Sequence, residues 1–426
     1  MNPLSLGLLG LFLATTSTIL YATDSAFRPQ HPESLSTKSQ ILNPKSQISE
    51  LRTLNSELLL TNSPLRNPQS AIRNPQFVLP PLGLPSAVPI PDTNPLTPEK
   101  IALGRRLFFD RRLSPNDTMS CAMCHIPTQG FTVNETRLAV GINGKTTKRN
   151  PPTIYNVAYQ RLLFHDGREF TLEDQIISPM TNPVEMGNPS IGYVVNKVRK
   201  LPGYEEQFQH VFGEGVTVAT LGKALASYER SLLSGNAPFD RWYFAGDQNA
   251  VSEEVKLGFK IFSGKGQCVT CHTANKDAAL FTNQGFHNTG VAQLQLIPEK
   301  TVDVDLGGGL TVKMPRTQVD EILTPPSQDL GRYEVTLDPT DLWRYKTPSL
   351  RNVALTAPYM HNGALLTLEE VIDYYDRGGT GADGQDPRIS PLNLSSQEKQ
   401  ALLALLHSLT GDNVKALAKE SGDIPH

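Results

Sequence analysis

All four cysteines of the 426-residue chain fall in two copies of one short pattern, Cys121-Ala-Met-Cys124-His125 and Cys268-Val-Thr-Cys271-His272. Two thiols three positions apart, followed at once by an imidazole, suit covalent attachment of haem. The thiols form thioethers to the two vinyl groups, and the imidazole becomes the proximal iron ligand. Zinc and redox dithiols are the competing uses of such a spacing. Neither copy has a second cysteine pair to complete a tetrahedral zinc shell, and a disulfide scaffold is not expected when the motifs consume every cysteine. Two covalently held c-type haems, ligated by His125 and His272, are the expectation, and with them an electron-transfer or redox-catalytic role.

Each motif follows a helix. Thr97-Pro98-Glu99 supplies an N-cap, a proline at the first helical position and an acid in the first turn, and Ile101, Gly104, Leu107 and Phe108 then share one face. Ser252-Glu253-Glu254 opens a similar helix through Val255, Gly258, Ile261 and Phe262. Leu103-Gly-Arg-Arg-Leu-Phe108 and Leu257-Gly-Phe-Lys-Ile-Phe262 read as an internal duplication, one unit per motif. Further helices are expected over Thr217 to Ser234, Thr367 to Asp376 and Ser395 to Leu409, whereas strand-like alternation is confined to short pieces such as Leu310 to Met314. The fold class is therefore mainly α, with two haem domains, long loops and few short strands.

Residues 1–22 have the layout of an export signal cut after Ala22, but no basic residue precedes the apolar run, which leaves an uncleaved anchor, and so a membrane tether, as the alternative. Residues 23–94, rich in Ser, Asn, Gln and Pro, read as a disordered low-complexity tether. The first haem domain is expected over 95–246, the second over 247–412, and a tail over 413–426. Lys and Arg number 39 against 42 Asp and Glu, a net charge of −3, which disfavours a nucleic-acid partner. An exported, periplasmic location agrees with the haem motifs, since haem c is attached outside the bacterial cytoplasm.

Between and after the motifs, Arg149-Asn-Pro-Pro-Thr-Ile-Tyr-Asn156, Phe164-His-Asp-Gly-Arg168, Leu172-Glu-Asp-Gln175, Asn182-Pro-Val-Glu-Met-Gly187, Tyr345-Lys-Thr-Pro-Ser-Leu-Arg-Asn-Val353 and Ala357-Pro-Tyr-Met-His-Asn-Gly363 follow in order. Together they resemble the bacterial di-haem cytochrome c peroxidase and MauG superfamily, from about Pro95 to about Leu409. The resemblance implies two cytochrome c-like domains, the first haem meeting hydrogen peroxide and the second exchanging electrons with a small cytochrome c or cupredoxin. It implies Glu185 as the distal carboxylate that moves a proton between the peroxide oxygens, and Gln175 as the amide that orients them. Asn150, Thr356 and Pro358 match the family's calcium site between the domains. A homodimer is compatible with the resemblance.

Three departures bear on function. Classical members carry a histidine after the first motif that ligates the resting haem, whereas no histidine occurs here between Ile126 and Phe164, so the first haem is expected to be open to peroxide at rest. Tyr375 stands where classical members have the methionine ligand of the second haem, with Met360 as rival and Tyr374 beside it. Tyrosinate would lower that haem's reduction potential. His165 replaces the tryptophan that many relatives have between the haems. Its expected roles are a hydrogen-bonded bridge or a core histidine bonded to Asp166, with iron ligation ranked behind them. His361 is expected to support its neighbours, and Trp242 and Trp343 to pack. The leading function is a peroxidase that reduces hydrogen peroxide. A MauG-like enzyme acting on side chains of a partner protein is the alternative, and a di-haem electron carrier or sensor the reading from another class.

Overall fold

The structure, a computed structural model, describes residues 78–294, 302–305, 311–314 and 329–422. The expected export segment and the tether as far as residue 77 lie outside them. Helices dominate: α1 (Pro98–Phe109), α2 (Leu172–Gln175), α3 (Ile177–Thr181), α4 (Ile191–Lys200), α5 (Tyr204–Phe212), α6 (Val218–Ser231), α7 (Pro238–Tyr243), α8 (Glu253–Ser263), α9 (Val291–Leu294), α10 (Tyr333–Thr336), α11 (Leu368–Asp376), α12 (Ser396–His407) and α13 (Val414–Gly422). Strands among the described residues are short and antiparallel. β1 (Phe286–His287) pairs with β4 (Tyr345–Lys346), and β2 (Val302–Asp305) with β3 (Thr311–Met314). No described helix is long and apolar enough to cross a membrane.

The principal helices begin where side chains satisfy their otherwise unpaired N–H groups. Thr97 accepts from the Lys100 N–H at 3.2 Å. Thr217, Ser252, Thr367 and Ser395 cap α6, α8, α11 and α12 in the same way. α1 packs on α6 and α8 on α12, and a glycine sets the separation in each pair. A Cβ on Gly104 would fall 1.9 Å from the Ala224 carbonyl oxygen, and one on Gly258 2.0 Å from that of Ala401. The duplication legible in sequence is thus a duplicated crossing of two helices.

Each crossing anchors its own core. Leu107, Phe108, Phe131, Leu221 and Leu225 belong to the first, and Phe239, Phe262, Phe281, Leu402 and Leu405 to the second. The first core runs to Leu232 and the second begins at Phe239, ahead of the change-over expected near Gly246. Phe239 is drawn into an aromatic cluster with Trp242, Tyr243 and Phe259, which fixes α7 to the second core. Two other expected boundaries also move. Val78, Leu84 and Val88, assigned in sequence to the tether, are buried against Ala158, Tyr159 and Leu233. Single apolar residues in an irregular Pro-rich stretch show no period, and only the surface they meet turns them into core. The expected tail folds back as α13, whose Val414 and Leu417 pack on the first core.

One buried ion pair ties these parts together. The Arg351 guanidinium meets both carboxylate oxygens of Asp240 on α7 at 2.9 Å and donates to the carbonyl oxygens of Ala279 at 2.6 Å and Gly83 at 2.7 Å.

Candidate active site

Both Cys-x-x-Cys-His motifs form a 3-10 turn, Cys121–Met123 and Cys268–Thr270, closed by the histidine N–H donating to the first cysteine's carbonyl at 3.0 and 2.9 Å. His125 Nδ1 lies 3.0 Å from the Phe131 carbonyl oxygen and His272 Nδ1 2.9 Å from that of Phe281. A carbonyl can only accept, so Nδ1 carries the proton in each ring and Nε2 keeps its lone pair for a metal. Burial disfavours the imidazolium at both positions, pulling His125 down and His272 down to about 4. Phe131 and Phe281 hold their carbonyls in place from left-handed backbone, φ 56° and 52°, a conformation uncommon for bulky residues. The four cysteines form no disulfide with one another. Burial pushes Cys121, Cys124 and Cys268 upward and keeps them neutral, which fits thioether partners better than thiolate ligands. Donor set and tautomer therefore fit haem at both motifs.

The first motif opens on a cavity whose walls also carry Gln175, Glu185 and Glu229. Gln175 ends α2, and its side-chain amide makes no hydrogen bond among the described residues. Glu185 sits in the turn after α3. Its backbone carbonyl takes the Ile142 N–H at 2.8 Å, and its Oε1 accepts from Asn182 Nδ2 at 2.6 Å. Among the described residues no donor meets Oε2. Burial raises the Glu185 pKa, opposed by the Arg168 charge and the Asn182 hydrogen bond.

At the second motif, Tyr375 on α11 is half-buried beside Cys271 and Cys268, and desolvation pushes its phenol well above the ordinary range. Met360 packs in the same cluster. Tyr374 is engaged elsewhere, its hydroxyl donating to the Thr289 carbonyl at 2.7 Å.

The duplication extends beyond the helix crossings. Asn156 and Asn352, at φ 59° and 61°, start equivalent turns, and Phe164 and Met360, at φ 64° and 72°, precede His165 and His361. Pro179 and Tyr375 each follow by eight residues the threonine that caps the helix, Thr171 or Thr367. His165 Nε2 donates to the Asn150 carbonyl at 2.9 Å. The hydrogen bond to Asp166 expected from sequence is not made, because Asp166 is occupied by Arg149 at 2.6 Å and Arg168 at 2.9 Å. His361 stacks on Tyr345 with ring centres 3.6 Å apart. Arg149 also reaches Asp329 through two hydrogen bonds of 2.7 Å, and Asn150 N–H donates to the His361 carbonyl at 2.8 Å.

Residues 98–249 match the family model described as di-haem cytochrome c peroxidase. Over 330 residues the chain is 38% identical to the methylamine utilization protein MauG of Methylorubrum extorquens, covering 77% of this chain and 83% of that one. The chain belongs to the di-haem cytochrome c peroxidase family. This di-haem peroxidase is also 36% identical over 343 residues to the cytochrome-c peroxidase IdrP1 of Pseudomonas sp. (strain SCT), covering 78% and 86% of the two chains. A solved MauG-like protein associated with microbial copper homeostasis superposes on it with a TM-score of 0.62 at 30% identity, covering 80% of this chain and 95% of that one.

The peroxidase cavity also contains what sequence reasoning passed over. Glu229 lies on α6 between Leu225 and Leu232, both buried, so an acid at helical spacing within an apolar stripe was the available signal. Met119, Met180 and Met186 line the same walls, and nothing in their spacing along the chain announces it.

Proposed function

We propose that this chain is an exported di-haem c-type peroxidase that reduces hydrogen peroxide to water with electrons from a small cytochrome c or cupredoxin. The reading rests on one cavity that brings the Cys121–His125 turn together with an unpartnered amide and a carboxyl raised in pKa, Gln175 and Glu185. Cys121, Cys124 and His125 would hold the first haem. Cys268, Cys271, His272 and the Tyr375 phenol oxygen would hold the second. Bound there, the haems supply the iron at which the O–O bond is reduced and a store for incoming electrons. Glu185 moves the proton: Oε2, the oxygen left free by Asn182, takes it from one peroxide oxygen and returns it to the departing one. The Gln175 amide orients the peroxide without adding charge. Asn150 fits a calcium site beside this machinery, since its Nδ2 donates to the Arg137 carbonyl at 3.0 Å while its Oδ1 takes no hydrogen bond among the described residues. The Thr356 and Pro358 carbonyls would join it.

A second reading, oxidation of side chains on a docked partner protein in the manner of MauG, is favoured by two features. One is the absence of histidine between Ile126 and Phe164, and the other is the placement of Tyr375 beside the second thiol pair.

Mixing the oxidised holoprotein with one equivalent of hydrogen peroxide is expected to shift its Soret band without prior reduction. An unchanged band would return the chain to the electron carriers. Tyr375→Phe is expected to replace the EPR signal of the second haem and raise that haem's midpoint potential, because a hard anionic oxygen stabilises the ferric state. An EPR spectrum identical to wild type would remove Tyr375 from the ligand set.

A further inference from the structure

Reduction of peroxide consumes protons as well as electrons: H2O2 + 2 e− + 2 H+ gives 2 H2O. Glu185 relocates a proton within the peroxide and, on balance, supplies none. Two protons must therefore enter the cavity in every turnover, and they need a holder close to the reacting oxygens.

We infer that Glu229 is that holder, a second carboxyl on the peroxide cavity that delivers a proton to the product oxygens and is recharged from solvent. The inference rests on the peroxidase reading above. Glu229 is only 7% exposed, yet its side chain lines the same cavity as His125, Gln175 and Glu185. Among the described residues its carboxyl takes no hydrogen bond and no ion pair. The neighbouring cation is turned away, since Arg230 closes a two-pronged bridge onto Glu173 at 2.6 and 2.8 Å. A buried carboxyl left without a partner is costly unless it keeps its proton or serves a ligand or water in the cavity it faces.

Its surroundings keep the proton on. Burial is the main cause that pushes Glu229 up to about 8, with Glu173 on α2 adding to the rise and Arg230 opposing it. Cys121 lies close enough to interact with it, and Cys124, His125 and Glu185 face it from the other walls. Once the two thiols are consumed as thioethers, Glu185 and Glu229 are the acids lining this cavity. They divide the work, because Glu185 must start ionised to accept a proton, and Glu229 starts protonated at neutral pH.

The test compares holoprotein of wild type, E229Q and E229D. Single-turnover reaction of the holoprotein, first reduced at both haems so that it carries the two electrons, with one equivalent of peroxide in weak buffer containing a pH indicator reads proton uptake directly. In E229Q the uptake phase is expected to slow by about tenfold or more and to lose its pH dependence near 8, while E229D recovers part of both. The infrared difference spectrum between oxidised and reduced protein is expected to show a protonated-carboxyl C=O band in wild type that is missing in E229Q. Wild-type uptake kinetics in E229Q, or the band's persistence there, would overturn the assignment and leave Glu229 a packing acid. Should E229Q fail to incorporate haem, wild type and E229D decide it, because absence of a carboxyl band titrating near 8 in wild type overturns it equally. Failure of wild type to react with peroxide at all would instead sink the functional reading on which this one stands.

Discussion

Glu185→Gln is expected to lower kcat/KM for hydrogen peroxide by about 10²- to 10⁴-fold, the range associated with a positioned acid–base group. The substitution keeps the size of the side chain and an oxygen for the Asn182 Nδ2 donor, which lies 2.6 Å from Oε1 in the native protein. What it removes is an oxygen able to accept a proton. Haem content and the positions of both Soret bands should therefore be unchanged, and the loss should fall on the peroxide-dependent step alone. The pH profile supplies a second check. Burial raises the Glu185 pKa, and the ionised form is the one that accepts the proton, so wild-type activity rises as pH climbs through that raised value. In the glutamine variant this acidic limb disappears. Stopped-flow measurement of the peroxide reaction over a pH series tests both, and wild-type rates in the variant would remove the carboxyl from the mechanism.

Asp240→Ala is expected to destabilise the fold by about 3–5 kcal/mol, because it strands a buried guanidinium without its counter-charge. Arg351 and Asp240 have side-chain exposures of 2% and 0%, so solvent cannot compensate for the missing carboxylate. The same guanidinium also reaches the Gly83 and Ala279 carbonyls. Loss of the carboxylate should thus loosen the segment through residue 83, α7 and the chain leading to Phe281, whose carbonyl orients His272. The midpoint of denaturant unfolding, followed by far-UV circular dichroism, reads the stability. Weakened retention of the His272 orientation should show as a disturbed second-haem EPR signal with the first unchanged. A shift below about 1 kcal/mol, the ordinary scale for an exposed pair, would contradict the argument.

The parts of this molecule visible in its sequence are those whose chemistry is local. A haem motif needs five consecutive residues, and a cap needs its side chain within three residues of the N–H it satisfies. Both motifs, the cap at Thr97 and the helix opened at Ser252 stand where they were read, and the helices expected from Thr217, Thr367 and Ser395 begin with those residues as caps. Glu185 and Gln175 were reachable only through the family resemblance, because a loop acid and a helix-end amide carry no pattern of their own until the fold sets them on one cavity with His125. Residues 78–94 failed for the complementary reason. Their burial belongs to the surface they meet at Ala158, Tyr159 and Leu233, far away in sequence. Of the two hydrogen-bonded roles expected for His165, the one through Asp166 is not made, because two arginines, one seventeen residues upstream of Asp166 and one two residues downstream, take up that carboxylate.

The twofold repetition has an implication for how such a protein divides its labour. With the proximal imidazole, the left-handed asparagine and the capping threonine repeated in both halves, the scaffold itself is indifferent to which iron meets the oxidant. At one corresponding helical position the halves differ, Pro179 in the first and Tyr375 in the second, and the first half adds Gln175 and Glu185 on its cavity. A copied template can thus carry unequal centres through a few side chains, with no change in the architecture that holds them.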